Sequence, residues 1–258
     1  MPLKKKQDRF GRIIEILQAT RGTSIKELSE KLGVSEMTIR RDLELLAGEG
    51  AVRLVHAGAI PIGADGAVQR YSLAEAEAER AGEKMRIGAR AASLVEPGDV
   101  VIVDSGSTTE WLVRSLPQDV RLTVLCFALN VAVEARRFPG ITLILSGGTL
   151  RENSLVFDSP EGAALVRRHR AHKAFLSAAG VSDRLGVTCS NSYEVEAKKA
   201  AIASSLTRIL LADSGKFGRI TPAWFADLKD FDRVVTDAGI AAEHADAVRR
   251  MGIELDMV

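Results

Sequence analysis

The sequence predicts two domains, a small helical one that ends in a β-hairpin over residues 1–60 and a larger, mostly parallel α/β domain over residues 74–258. Three observations predict this fold class. Apolar residues recur with helical spacing up to about residue 47, residues 61–73 contain Pro and Gly without a clear period, and short apolar runs then alternate with helical segments. A chain of 258 residues is long enough for two domains, the larger with a sizeable core.

Composition limits the class of protein. Hydrophobic residues make up 46% of the chain, yet no apolar run approaches the ~18 residues of a membrane span. The first residues, Met-Pro-Leu-Lys-Lys-Lys, lead into charged residues and lack the apolar stretch of a secretory signal. Cys126 and Cys189 have neither CxxC spacing nor a disulfide-rich context, so we expect both to be reduced and packed. The sequence therefore predicts a cytoplasmic protein with no membrane segment.

The net charge of +1 hides a difference between the two parts of the chain. Residues 1–60 contain eleven Lys and Arg against eight Asp and Glu, whereas the remainder is slightly acidic. A basic N-terminal domain is compatible with a polyanionic partner, but a difference this small is also common on solvated surfaces. Charge alone leaves nucleic-acid binding undecided.

Three helices are predicted in the N-terminal domain. Residues 10–17 show the i, i+3, i+4, i+7 spacing of an amphipathic helix. Ser24, followed by Glu27, has the capping-box pattern and begins a second helix of about two turns, which Gly33 ends. A third helix runs over residues 36–47 and stops at a Gly-Glu-Gly sequence.

The third helix, which Ser35 can cap, carries the residues that point to a partner. Its buried stripe consists of Ile39, Leu43 and Leu46. Thr38 and Arg41 point away from that stripe, and Arg40 lies on its flank. A short helix, a Gly turn and a helix of this kind form a helix-turn-helix that can enter a major groove, where Arg donates to guanine or phosphate. The alternative is a packing module whose arginines are merely solvated.

After Gly50 the sequence becomes alternating and β-branched, with a break at Gly58, which predicts a small hairpin beside the helices. Arg53 and His56 are expected at the tip or flank of this wing, within reach of a phosphate or the minor groove. The domain is therefore predicted to be a winged helix-turn-helix. Its candidate DNA-binding residues are Ser35, Thr38, Arg40, Arg41, Arg53 and His56.

Residues 28–50 resemble the DNA-binding signature of the DeoR family of bacterial repressors. The match is carried by Ser35-x-x-Thr38-Ile39-Arg40-Arg41-Asp42-Leu43, followed by Arg53 and His56-Ala-Gly-Ala59. One departure is Ala57, where the family usually has a second Gly in the wing. The resemblance implies sequence-specific binding to double-stranded operator DNA.

The C-terminal domain contains six continuous apolar runs separated by helical stretches. These runs cover residues 100–103, 122–125, 141–145, 174–176, 208–211 and 233–235. Strands that are buried on both faces and connected by helices predict a mostly parallel α/β sheet. Such a sheet binds ligands beyond the carboxyl ends of its strands. Ahead of the first strand, residues 75–94 are predicted to form one long helix.

Four polar segments fall at that edge of the predicted sheet. Residues 104–109 follow a strand and open a helix, so their amides and hydroxyls suit a phosphate, although they could simply cap the helix. Residues 146–148, Ser-Gly-Gly, end another strand, and Lys216 follows a third. Glu194 and Lys198 lie at i, i+4 near a helix start, a spacing that is also typical of a surface salt bridge.

In this order the segments are similar to the sensor domain of the DeoR family, so the resemblance spans nearly the whole chain. It implies a domain resembling ribose-5-phosphate isomerase in fold, with a pocket for a phosphorylated sugar or related intermediate. The implied effector-binding residues are Asp104, Ser105, Gly106, Ser107, Thr108, Thr109, Gly147, Gly148, Glu194, Lys198 and Lys216. The departures from the family pattern are Cys126-Phe127 for Thr-Asn, Ser159 for Gly, His172 for Asp and Gly215 for Ser.

The sequence thus predicts a transcriptional regulator that represses a sugar or carbohydrate catabolic operon under the control of a phosphorylated sugar. Because helix-turn-helix proteins usually read two half-sites, we expect a homodimer or homotetramer. No cofactor or metal is predicted, since His169 and His172 lie in a basic cluster. The alternatives are an architectural DNA binder without a ligand and a phosphosugar isomerase, with Asp104 or Glu194 as base and Lys216 as electrostatic stabiliser.

Overall fold

The computed structural model describes residues 2–20, 22–62 and 71–258. Its first two ranges contain α1 (Pro2–Thr20), β1 (Thr23–Ser24), α2 (Ile25–Leu32), α3 (Glu36–Gly48), β2 (Val52–Val55) and β3 (Gly58–Pro61). The strands pair antiparallel in the order β1-β3-β2. This arrangement confirms the predicted winged helix-turn-helix. Within the predicted linker over 61–73, residues 63–70 lie outside the described residues.

Hydrogen bonds at the helix ends set the turn between α2 and α3. Ser24 Oγ accepts from the Glu27 N–H and Ser35 Oγ accepts from the Thr38 N–H. Between them, Gly33 ends α2 with a φ of 66°, in the left-handed region that favours a residue without Cβ. The caps predicted from the sequence are confirmed, and together they fix the direction of α3.

The core of this domain is apolar and is bordered by a partly buried ion pair. Its fully buried side chains include Ile13, Leu17, Leu28, Ile39 and Leu43. Asp42 lies beside this core on α3 and is only 3% exposed. Its carboxylate accepts two hydrogen bonds from the Arg9 guanidinium on α1, at 2.5 and 3.1 Å, and these raise the pKa of Arg9. The pair therefore ties α1 to α3.

Asp42→Ala should lower the free energy of unfolding by about 1–3 kcal/mol, because it removes a bidentate, charge-assisted pair at a buried position. Chemical denaturation followed by circular dichroism measures the change. Lys31→Ala is the matched control, since the pair of Lys31 with Glu27 is partly solvated and should contribute less than about 0.5 kcal/mol. Equal losses in the two variants would contradict this role for Asp42.

Residues 71–258 form the larger α/β part of the chain. Its helices are α4 (Leu73–Ala78), α5 (Ala81–Ala92), α6 (Ser107–Arg114), α7 (Leu129–Ala135), α8 (Pro160–Arg168), α9 (Val195–Ala203) and α10 (Ala242–Arg250). Its strands are β4 (Val100–Val103), β5 (Leu122–Cys126), β6 (Ile141–Leu145), β7 (Thr149–Arg151), β8 (Val156–Asp158), β9 (Ala171–Ser177), β10 (Gly180–Ser182), β11 (Gly186–Cys189), β12 (Ser205–Leu211), β13 (Ala223–Ala226), β14 (Arg233–Thr236) and β15 (Glu254–Met257).

In this range seven strands form one parallel sheet in the order β15-β14-β12-β9-β4-β5-β6. Separate apolar cores cover its two faces, which confirms the predicted mostly parallel α/β architecture. The run 141–145 is an edge strand and partly exposed, instead of buried on both faces. The opposite edge strand, β15, was not predicted because Glu-Leu-Asp-Met contains no continuous apolar run. The remaining strands pair antiparallel, as β10-β11-β13 and β7-β8.

The prediction of one helix over residues 75–94 is wrong. The chain breaks between α4 and α5, where Arg80 adopts a φ of 54°. Its guanidinium donates to Ser214 Oγ at 2.7 Å and Asp237 Oδ2 at 3.3 Å, and these groups are more than 130 residues away along the chain. A local sequence pattern does not reveal such distant partners, so the helical composition of the segment was misleading.

Close packing of α5 on α6 depends on Gly88. A Cβ atom at this position would lie 2.5 Å from Trp111 Cβ and 2.6 Å from the Trp111 carbonyl carbon. Real Cβ atoms do not approach other atoms so closely, so a larger residue would push the two helices apart. Since α6 carries the loop that follows β4, this packing also positions the edge of the sheet.

Gly88→Ala should destabilise the protein by about 1–3 kcal/mol through overpacking, despite the better helix propensity of Ala. The measurement is the free energy of unfolding in urea. Gly82→Ala, on the same helix, is the control, because the nearest atom to its added Cβ would be a flexible Arg86 nitrogen at 3.8 Å. A loss of stability in both variants would contradict the close helix approach as the cause.

Candidate functional site

The outward face of α3 carries two arginines. Arg40 and Arg41 are exposed, and among the described residues neither forms a salt bridge. Thr38 is half-buried, and its Oγ1 lies 2.9 Å from Ser35 Oγ. The predicted apolar stripe of α3 is buried on the other side. Ser35, Thr38 and Arg41 therefore share one accessible face at and after the helix N-terminus, and Arg40 lies on its flank.

The wing has a backbone that favours glycine at its turn. Ala57 has a φ of 56°, which explains why the family usually has Gly at this position. A Cβ atom on the next residue, Gly58, would lie 2.4 Å from the Thr23 carbonyl oxygen. Gly58 is therefore required for the close pairing of β1 with β3.

The two remaining candidate DNA-binding residues face the α/β domain. The exposed His56 stacks on Trp224, with ring centroids 4.4 Å apart and an angle of 21° between the planes. Arg53 is partly buried and lines a cavity between the wing and the α/β domain. In this structure the wing is thus docked on the rest of the chain.

The cavity has a volume of about 610 Å³ and lies where the carboxyl ends of β4, β9 and β12 meet. Of the eleven predicted effector-binding residues, the structure brings seven to its wall. These are Ser105, Gly106, Ser107, Thr108, Glu194, Lys198 and Lys216. Asp104 and Thr109 are fully buried behind that wall.

Gly147 and Gly148 are not brought to the cavity. They follow β6, the outermost strand, and precede the hairpin β7-β8. A Cβ atom on Gly148 would lie 2.8 Å from the Asp158 carbonyl oxygen and from Ser159 Cβ. The structure thus places Gly148 in tight packing against the start of α8, whereas a Cβ atom on Gly147 would meet no atom within 4 Å.

A buried ion pair forms the floor of the cavity. Lys198 Nζ donates to Asp104 Oδ2, and both side chains are buried. The same carboxylate oxygen accepts from the Ser177 N–H at 2.7 Å. Glu194 Oε2 lies 3.8 Å from the ammonium, so the i, i+4 pair is internal and is not a surface salt bridge.

The ionisation of this cluster follows from burial and charge. Burial raises the pKa of Glu194, and the ammonium of Lys198 only partly offsets this. Burial alone would lower the pKa of Lys198, but the carboxylates of Asp104 and Glu194 outweigh it, so its pKa is raised. Lys198 is therefore a cation at neutral pH, and Asp104 is held by it and by Ser177.

Lys198→Met should destabilise the protein by about 3 kcal/mol or more, because it leaves two buried carboxyl groups without their cation. The readout is the free energy of unfolding from urea titrations. Lys199→Met is the control on the same helix, where the partly exposed ammonium lies over the Trp224 ring at 4.9 Å. This control should lose about 1 kcal/mol or less. Similar losses in both variants would show that the internal pair contributes no more to stability than a surface contact.

The first turn of α6 forms another wall of the cavity. Gly106, its N-cap, has a φ of 118° and provides no side-chain cap. Ser107 Oγ donates to the Ala76 carbonyl at 3.2 Å, and Lys84 Nζ donates to the same carbonyl and to that of Glu79. Ser107 and Lys84 could donate to an anion at this helix N-terminus, but in this structure they already donate to carbonyl oxygens at the end of α4.

Sequence reasoning missed Lys84, which is 1% exposed and lines the cavity. Burial, followed by the nearby charge of Lys216, lowers the pKa of Lys84. One signal was available in the sequence. Lys84 continues the apolar stripe of Ile87 and Ala91, and a charged residue on such a stripe has either a buried partner or a ligand.

The charge of the cavity favours an anionic ligand. Five basic side chains and three carboxylates line it, and the backbone amides of α6 add positive potential. The basic side chains are Arg53, Lys84, Lys198, Lys216 and Arg219, and the carboxylates are Glu75, Glu79 and Glu194.

In the described part of the chain, no cluster of His, Cys, Asp or Glu could hold a metal ion. The thiols of Cys126 and Cys189 are buried, which raises the pKa of each to about 12.

A winged helix-turn-helix with exposed arginines, joined to an α/β domain with a cavity lined by basic side chains, defines a DNA-binding transcriptional regulator with a sensor domain. The family model of the DeoR-like helix-turn-helix domain matches residues 9–63, and that of the DeoR C terminal sensor domain matches residues 79–238. The chain belongs to the DeoR family.

Relatives match nearly the full length of the chain. The deoxyribose operon repressor of Escherichia coli strain K12 is 30% identical over 251 residues, which cover 97% of this chain and 98% of the relative. The uncharacterized HTH-type transcriptional regulator YulB of Bacillus subtilis is 35% identical over 233 residues, covering 90% and 89% of the two chains. Both relatives are named as a transcriptional regulator or repressor, which confirms the predicted regulator and not the alternative, a phosphosugar isomerase.

Solved structures overlap the chain in part. Ribose 5-phosphate isomerase A from Methanocaldococcus jannaschii is 16% identical, with a TM-score of 0.40 over 52% of this chain and 53% of that one. The delta subunit of eIF2B from Chaetomium thermophilum is 18% identical, with a TM-score of 0.40 over 56% and 52%. The family assignment does not depend on these overlaps.

No helix among the described residues is long and apolar enough to cross a membrane.

Proposed function

We propose that this protein represses a sugar or carbohydrate catabolic operon and that a phosphorylated sugar, bound in the cavity, controls its affinity for the operator. The observation that carries the proposal is the cationic cavity at the carboxyl ends of the strands, in a chain that also presents exposed arginines on a helix-turn-helix. A relative named for the deoxyribose operon supports the sugar assignment.

In this proposal α3 is the recognition helix. Arg40 and Arg41 read guanine or bind phosphate through their paired donors, and Thr38 and Ser35 contact the backbone beside the helix N-terminus. The exposure of this face and the burial of the opposite stripe support these roles. Arg53 and His56 reach DNA only when the wing leaves the sensor domain. Two such helices are needed for two half-sites, so we expect a homodimer or homotetramer.

The phosphate of the effector is assigned to the first turn of α6. Its amides, Ser107 and Lys84 supply donors, and Lys216 adds a nearby charge from the loop after β12. In the present structure Lys84 and Ser107 donate to the Ala76 carbonyl, so a phosphate would replace that carbonyl as their acceptor. The cavity volume is within the usual range for a small-molecule site.

The recognition helix is tested with a DNA duplex selected by the protein from a random-sequence library. Arg40→Ala and Arg41→Ala should each weaken binding to that duplex by about 5- to 150-fold at physiological salt, which is ~1–3 kcal/mol. Fluorescence anisotropy measures the affinity. Arg250→Ala, an exposed change on α10, should leave it unchanged. Full affinity in both α3 variants would overturn the assignment.

The sensing role is tested by calorimetric titration with ribose 5-phosphate and fructose 6-phosphate, and with the unphosphorylated sugars for comparison. Only phosphorylated sugars should bind, and Lys84→Met and Ser107→Ala should each weaken that binding about tenfold or more. Lys229→Met, an exposed change outside the cavity, is the control. The absence of binding by the unaltered protein, or equal binding of sugars with and without phosphate, would contradict the proposal.

A further inference from the structure

The wing supplies part of the wall of the effector cavity. Arg53, Ile60, Pro61 and Ile62 line it from the side of the DNA-binding domain. From the α/β domain, the segment after Lys216, which includes Arg219, also lines it. Arg53 and Ile60 are paired neighbours on the antiparallel strands β2 and β3. The cavity is therefore incomplete without the wing.

Several contacts hold the wing in this position. A Cβ atom on Gly22 would lie 2.8 Å from Ile60 Cγ2 and 3.0 Å from Ile220 Cδ1, so a side chain from each domain approaches Gly22. His56 stacks on Trp224, and Arg184 of the α/β domain forms a 3.0 Å salt bridge with Glu27 on α2. Apolar, aromatic and ionic contacts thus all hold the wing in the same docked position.

The lysines of the cavity already have partners within the protein. Lys84 donates to two backbone carbonyls, and Lys198 is paired with Asp104. Lys216 lies 3.6 Å from a Glu79 carboxylate oxygen. By contrast, neither Arg53 nor Arg219 forms a salt bridge or a side-chain hydrogen bond with any residue in the described ranges 2–20, 22–62 and 71–258. Among the described residues, these two guanidinium groups are the cations of the cavity that have no partner within the protein.

We propose that Arg53, a residue of the wing, is an effector-binding residue that acts with Arg219 on the phosphate of the effector, the same phosphate that the first turn of α6 is proposed to hold. This rests on the proposed function, since it assumes that the cavity binds a phosphorylated sugar. A guanidinium fork matches the geometry of a phosphate or carboxylate, so the effector joins the two domains through one anion. The effector then holds the wing against the sensor domain.

A consequence for DNA binding follows. Arg53 cannot contact an effector in the cavity and the operator at the same time, and a docked wing cannot lie on DNA. Effector and operator therefore compete for one arginine, and by linkage each weakens the binding of the other by the same factor. Both ligands thus act on the position of the wing, because the effector favours the docked position and the operator favours the free one.

The test is calorimetric titration of the full chain with ribose 5-phosphate and fructose 6-phosphate. Arg53→Gln and Arg219→Gln should each weaken binding about tenfold, and Arg53→Lys should restore part of the loss because it keeps the charge. Arg250→Gln, on the exposed face of α10, is the matched control. Thermal unfolding identifies any variant that fails to fold, and Arg219→Gln then tests the same contact from the other domain.

The outcomes separate this proposal from the one on which it rests. If the unaltered protein binds neither sugar phosphate, the proposed function fails and this inference fails with it. If it binds one, and Arg53→Gln and Arg219→Gln bind that sugar phosphate as tightly as the unaltered protein does, the sensing role stands and the assignment of Arg53 is overturned. A tenfold loss of affinity in Arg53→Gln and Arg219→Gln, with unchanged affinity in Arg250→Gln, supports the assignment.

The fluorescence of Trp224 gives an independent readout of wing docking, because His56 covers its ring. In a Trp111→Phe background, the sugar phosphate should protect Trp224 from acrylamide quenching, and the selected DNA duplex should increase its quenching. Arg53→Gln should abolish the protection by sugar phosphate. Protection that is unchanged in this variant would show that the wing docks without contacting the effector.

Discussion

The arrangement of the sensor site depends on the buried contact between Asp104 and Lys198. Asp104 follows β4, Ser177 ends β9 and Lys198 lies on α9, so this one carboxylate joins three elements at the edge of the sheet. A buried carboxylate needs a cation and several donors, and here both come from elements that line the cavity. The role of Asp104 is thus to hold the loop of residues 105–108 against the neighbouring strands, and its full burial argues against direct contact with a ligand.

The sequence predicted the features whose cause is local. Helix caps such as Ser35, the buried stripe of α3 and the apolar parallel strands each follow from a few neighbouring residues. Two features were missed or misread for different reasons. The break at Arg80 depends on Ser214 and Asp237, which are more than 130 residues away along the chain. Lys84 donates to carbonyls five and eight residues before it, and it was missed because these carbonyls come close only once the helix has broken. Loops at the same edge of a sheet also need not share one cavity, as Gly147 shows.

The departure of Cys126-Phe127 from the family pattern is explained by packing. Both side chains are fully buried, and Cys126 and Phe127 belong to the apolar cores on opposite faces of the sheet. Neither lines the cavity. Replacement of a polar pair by these residues therefore changes the core beside the site and leaves the polar groups of the cavity in place.

The contacts between the wing and the sensor domain suit a reversible switch. An aromatic stack is worth about 0.5–1.5 kcal/mol and a solvated ion pair such as Arg184 with Glu27 about 0–1 kcal/mol, so neither of these contacts alone would prevent an equilibrium between docked and free wings. A ligand shifts such an equilibrium only by its difference in affinity for the two states. A contact to Arg53, which exists only in the docked state, supplies that difference.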